Sequence, residues 1–264
     1  MTSNQKLMPG EALFVRYLRE QSYSGWNEHE PEFPGCPSNP DFLIATDGAE
    51  CVCEVKEFTT DYKRRDLRRS RHGRASWSAK RTLQPVRDAL RRAANQLKPL
   101  ADGDRPLVVV LTNPHNADVD LRVREVVHAM YGDPTFQLHG DESGTVESSE
   151  LFAGRNGELT NSHPHLGAVA CLRWRNRADD WWDEQPGWEE QWKRQMSLGA
   201  GLPWEDPPDV PRGNYVAIDL IETQSAVQGH AVPVPDHFFN GPDDTRWSLD
   251  DDSYGPRSLR ANDS

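Results

Sequence analysis

The stretch "NPDFLIATDGAECVCEVKEF", residues 39 to 58, contains two apolar runs joined by Asp47-Gly48, with acids near both ends. Asp-Gly is a strong hairpin signal because both central residues of a two-residue turn take positive φ. With that pair as the turn, Thr46 faces Ala49, Ile44 faces Cys51 and Asp41 faces Glu54. A four-residue loop centred on the same pair keeps this register. Side chains alternate along a strand, so Glu54 and Lys56 share one face while Cys51, Cys53 and Val55 share the other. Cross-strand partners also share a face, with Cβ atoms about 5 Å apart. The expectation is one patch holding Asp41, Glu54 and Lys56.

Two facing carboxylates repel, which a purely structural sheet would avoid. A divalent cation removes the conflict, because hard cations such as Mg²⁺ take one or two carboxylates and fill their shell with water and phosphate oxygens. Lys56 would then stand beside the attacking water, placed to orient it or to stabilise charge developing on phosphate. The alternative is structural, with Asp41 and Glu54 ion-paired to lysine at the edge of a hairpin.

The pattern Pro40-Asp41, then Glu54-Val55-Lys56, resembles the PD-(D/E)xK nuclease superfamily, which includes restriction endonucleases and Holliday-junction resolvases. The resemblance runs over residues 9 to 113. It implies that Asp41 and Glu54 are metal ligands, that the Val55 carbonyl is a further ligand and that Lys56 is the catalytic lysine. It also implies an acid from the first helix, which in "PGEALFVRYLRE" is Glu11, with Glu20 the poorer choice because it falls late in the helix. Gln84 resembles the polar residue that some members place on the helix after the triplet. The longer Gln-x-x-x-Tyr pattern of helicase-associated members is absent, since Asp88 and Leu100 stand where its tyrosine would.

The periodicities give the same element order. Leu13, Phe14, Tyr17 and Leu18 form a helical stripe behind Pro9. "WNEHEPEF" reads as a first strand, and the hairpin supplies the second and third. Pro85 opens a helix with Val86, Leu90, Ala93 and Leu97 on one face and Arg87, Arg91 and Lys98 on another. "PLVVVLTN", residues 106 to 113, has the continuous apolar character of a central buried strand. The expected fold is α/β, with an αβββαβ core, a mixed sheet flanked by helices, and an acidic Trp-rich C-terminal extension. "DLRVREVVHAMYG" reads as a further helix, and "GAVACLRW" and "NYVAIDLIE" as further strands.

Charge separates function classes more sharply than the total does. The chain carries −12 overall, yet residues 60 to 98 hold thirteen Lys/Arg against three Asp, a local +10 that leaves −22 for the remainder. A basic block beside a candidate phosphodiester-cleaving patch suits a polyanion, and the expected DNA-backbone contacts are Lys80, Arg81, Arg87 and Arg91, with Gln84 beside them. The bland alternative is a solvated loop that offsets the acidic remainder. No segment approaches about 18 consecutive apolar residues and no signal core opens the chain, so a cytoplasmic protein with no membrane partner is expected. Cys36, Cys51, Cys53 and Cys171 lack paired spacing, which argues against a zinc site or disulfide framework.

Three regions are expected: a nuclease-like domain over 1–175, a Trp-rich acidic insertion with one more strand over 176–221, and a polar, extended or disordered tail over 222–264. Trp181, Trp182, Trp188 and Trp192 sit among acids, which opposes base stacking and favours packing, a protein partner or a homodimer contact. His163 and His165 read as an ordinary loop pair. The expected activity is Mg²⁺- or Mn²⁺-dependent hydrolysis of DNA, in restriction, phage defence or repair. A non-catalytic nucleic-acid- or protein-binding module on the same fold is the rival.

Overall fold

The computed structural model of the protein describes residues 7–21, 25–34, 36–59, 83–115, 119–132, 134–140, 146–152, 157–159, 162–178, 213–250 and 253–257. The chain begins with α1 (Pro9–Glu20), β1 (Gly25–His29), β2 (Phe42–Thr46) and β3 (Ala49–Glu57), then α2 (Gln84–Leu97) and β4 (Leu107–Thr112). This is the αβββαβ order expected from the periodicities. There follow α3 (Val123–Tyr131), the hairpin β5 (Pro134–Gly140) and β6 (Val146–Phe152), and then β7 (Ala168–Asn176) and β8 (Asn214–Glu222). The one-turn helix α4 (Gln224–Val227), β9 (Thr245–Asp250) and β10 (Ser253–Arg257) follow, and a 3-10 turn, Lys98–Leu100, extends the end of α2.

One mixed sheet runs in the order β1-β2-β3-β4-β7-β8-β9-β10, while among the described residues β5 and β6 form a separate two-stranded sheet. The turn forms as the dipeptide predicts: Asp47 has φ of 50° and Gly48 has φ of 78°. Its ladder pairs Thr46 with Ala49, Ile44 with Cys51 and Phe42 with Cys53. β3, β4 and β7 run parallel at the centre, and α2 supplies the crossover that two parallel neighbours require. All six residues of β4 are buried, because helices or loops cover both faces there.

Alternation along the strands divides the core in two. Phe42, Ile44, Cys51, Cys53, Val55, Val108 and Val110 pack with the Leu13, Phe14, Tyr17 and Leu18 stripe of α1. Val52, Val109 and Leu111 point the other way, onto Val86, Leu90, Ala93 and Leu97 of α2 and onto α3. The register therefore decides which helix each strand residue meets.

The segment from 222 onward, expected as an extended or disordered tail, is folded through its described residues 222–250. Phe239 is buried against Phe14 and Tyr17, with Phe238 buried beside it, and β9 joins β8 in parallel. The segment is poor in apolar residues but places two large aromatics together and closes the rest with polar contacts. Arg246 is buried and bonds to Asp236 and the Pro235 carbonyl. Asp244 accepts from the Tyr17 hydroxyl, the Ile218 N–H and the Gly241 N–H, and burial raises its pKa against those bonds. The Trp-rich expectation at Trp181, Trp182, Trp188 and Trp192 lies outside the described residues.

Asp244 thus ties α1 to β8 and to the loop before β9. Asp244→Ala should leave the buried Tyr17 hydroxyl and the Ile218 N–H without their acceptor, at a cost of about 2–4 kcal/mol. Urea unfolding of the variant checks this, and a loss below about 0.5 kcal/mol, the range of an ordinary surface substitution, would contradict it.

Candidate active site

The β2–β3 ladder ends at Phe42 and Cys53, so Asp41 and Glu54 occupy the next facing positions. The Asp41 carbonyl accepts from the Glu30 N–H at 2.8 Å, and its carboxylate accepts from the Val55 N–H at 2.7 Å. A side chain here takes over from the backbone ladder. It fixes Asp41 against β3 beside Glu54.

Glu54 is fully buried. Burial, and then the charge of Asp41, push its pKa from an ordinary 4.5 up to about 7, against the pull of Lys56. Lys56 donates to Glu54 Oε1, as two residues on one strand face can, and it also donates to Gln96 Oε1 at 3.3 Å. Gln96 in turn donates from Nε2 to the Asn39 carbonyl at 3.1 Å. Through Gln96, α2 links the lysine on β3 to the chain leading into Asp41. Glu54 Oε2 is buried and has no hydrogen-bond partner, a costly state for a carboxylate oxygen.

In front of this pair lies an open cleft of about 330 Å³ lined by Met8, Gly10, Glu11, Asp41, Val55, Lys56, Glu57 and Arg92. Glu11 reaches it from the first turn of α1, where its carboxylate accepts from the Met8 N–H at 2.8 Å. Gly10 permits that approach: a Cβ there would fall 2.8 Å from both Glu57 Cβ and Thr112 Cγ2. Its N–H donates to Glu57 at 2.6 Å, so an acid at the end of β3 caps the helix dipole.

The structure therefore gathers Glu11, Asp41, Val55 and Lys56 on one cleft wall, with Glu54 behind Lys56. The expected backbone contacts fare differently. Arg91 makes two bonds to Glu158, at 2.9 and 2.8 Å, which commits its charge within the protein. Gln84 is exposed and bonds to Asp88 at 2.9 Å, and neither it nor Arg87 lines the cleft. Lys80 and Arg81 lie outside the described residues. Arg92, Gln96 and Glu57 were not anticipated in these positions. Arg92 and Gln96 stand four apart on α2 and so share a face, a spacing that could have paired them once the rotation of the helix was known. His165 Nε2 lies 2.9 Å from the Ala94 carbonyl and His163 Nε2 3.5 Å from Glu158, so both brace a loop against neighbouring groups.

Among the described residues, no group of three or more His, Cys, Asp or Glu side chains is arranged to hold a metal ion. A hard cation needs fewer, since it accepts one or two carboxylates with water and substrate oxygens. Asp41 and Glu54 fit that requirement, and the orphaned Oε2 is the observation in its favour.

No family model matches the chain, and no curated protein matches it. Among solved structures, Pyrococcus furiosus SfsA in complex with Ca²⁺ is similar at 17% identity and a TM-score of 0.23, over 55% of this chain and 61% of that one. The likeness thus spans less than two thirds of that protein, and at such a score it carries no weight for function. No helix among the described residues is long and apolar enough to cross a membrane.

The raised pKa of Glu54 has a signed consequence for stability. Between pH 4.5 and about 7 the folded state holds a proton that the unfolded state has released, so the contribution is complete below that window and is lost as pH rises through it. Glu54→Gln fixes the neutral form. In the presence of chelator, its stability relative to wild type should rise between pH 4.5 and 8 by on the order of a few kcal/mol. Denaturant unfolding across that range tests this, and a pH-independent difference would contradict it.

Proposed function

We propose that this chain is a nuclease that hydrolyses DNA phosphodiester bonds with a divalent cation, Mg²⁺ or Mn²⁺. The observation that carries the reading is the buried Glu54 carboxylate, unsatisfied at Oε2 and beside Asp41, directly behind the Lys56 that lines the cleft. Asp41 and Glu54 would hold the cation, with the Val55 carbonyl as a further oxygen donor. When bound, the cation would supply the positive charge that brings a phosphate against an acidic cleft and polarises it.

The chain's own residues would do the remaining work. Lys56, held by Glu54 and Gln96, would orient the attacking water and stabilise charge gathering on the phosphate oxygens. The water oxygen adds to phosphorus as the bond to the leaving oxygen breaks. A proton leaves the water and one is taken up by the leaving group. Glu11 would complete the acidic wall and position water. Restriction, phage defence and repair all require this chemistry, and the cytoplasm is the proposed setting.

A second reading, a non-catalytic binding module on the same fold, draws on one contact. The Lys56–Glu54 ion pair already occupies Oε1, as a structural pair would. Incubating the protein with duplex DNA separates the two. Cleavage should require Mg²⁺ or Mn²⁺, stop with excess EDTA, and fall at least about a hundredfold in Lys56→Ala, the scale of removing one transition-state stabilising group. DNA binding without cleavage under any divalent cation would favour the binding module.

A further inference from the structure

We propose that Arg92 grips a substrate phosphate in this cleft, an assignment that rests on reading the cleft as a phosphodiester site. Among the described residues, two cations line it, Lys56 and Arg92. The Lys56 ammonium has three donors and already commits to Glu54 and Gln96. Arg92 is exposed and has no ion-pair or hydrogen-bond partner among the described residues, although Glu11, Asp41 and Glu57 line the same cleft. An arginine that leaves these carboxylates unbonded keeps its planar fork of donors open to solvent, the geometry that matches phosphate oxygens in pairs.

The neighbouring features favour Arg92 by being occupied. Arg91, next in sequence, is held by Glu158 through Nε and Nη2 and by Asp88 through Nη1. A helix N-terminus can receive an anion, but in α1 the Met8 and Gly10 N–H groups are taken by Glu11 and Glu57. The acids of the cleft repel a polyanion, so a permanent cation at its wall is where backbone affinity should concentrate. The side of α2 that sends Gln96 to Lys56 also carries Arg92, so the grip is in register with the lysine.

The test measures binding of a short DNA duplex in Mg²⁺ against NaCl concentration, in a Lys56→Ala background that prevents turnover. Adding Arg92→Ala should weaken binding tenfold or more, as loss of a charge-assisted contact does, and reduce the salt slope by about one unit. Arg92→Lys should keep the slope and lose part of the affinity. Arg91→Ala should stay within about twofold of the parent, the size of a surface change within ±0.5 kcal/mol. Unchanged affinity and slope in Arg92→Ala would overturn the assignment, as would an equal loss in Arg91→Ala. So would a lowered melting temperature in Arg92→Ala, which would mark the residue as structural. A wild type that binds DNA through Arg92 but never cleaves it would sink the nuclease reading and leave this contact standing.

Discussion

The positive φ angles at Asp47 and Gly48 constrain everything at the far end of the β2–β3 hairpin. A one-residue slip in that turn would send every side chain of β3 to the opposite face. Cys51, Cys53 and Val55 would leave α1, and Glu54 and Lys56 would move from the α2 side into the apolar layer beneath Phe14 and Leu18. The register that satisfies the core is therefore also the one that sets Asp41 beside Glu54. Burial of the apolar face holds the acids together against their repulsion.

The core tolerates this local conflict because other contacts surround it. Asp41 has a backbone donor in Val55, and Glu54 has Lys56 on one oxygen. Gln96 holds the lysine from the other layer. The closeness of α1 depends on Gly10, where any side chain would meet Glu57 and Thr112. Of the two carboxylates, Glu54 still has one buried oxygen, Oε2, without a hydrogen-bond partner. Native folds rarely leave such an atom without a use, and a bound ion or a catalytic role is among the usual reasons. The buried acid is costly to the fold, and the proposed cation would offset that cost.

The hairpin was legible in the sequence because its determinants are local: a turn dipeptide, strand alternation and a short count between Asp41 and Glu54. Central β4 was equally plain, being a continuous run of large apolar residues. The cation contacts were not legible to the same depth. Arg91 and Arg92 are adjacent in sequence, and only the rotation of α2 and the distant Glu158 decide that one is spent inside the protein and the other lines the cleft. Composition misled most in the C-terminal segment. Phe239, Asp244 and Arg246 are few and scattered, yet Phe239 and Asp244 meet Tyr17 of α1 and Arg246 meets Glu222 at the end of β8. Polar closure of that kind leaves no periodic trace in a single sequence.

Whether Asp41 and Glu54 together hold a divalent cation can be read from calorimetric titration of the DNA-free protein with Mn²⁺. The account predicts saturable binding that strengthens from pH 6 to pH 8, since the proton held by Glu54 with a pKa of about 7 competes with the cation. It also predicts that Asp41→Asn and Glu54→Gln each abolish that binding while remaining folded. Binding of equal strength in wild type and both variants, or none in the wild type at millimolar Mn²⁺, would contradict it.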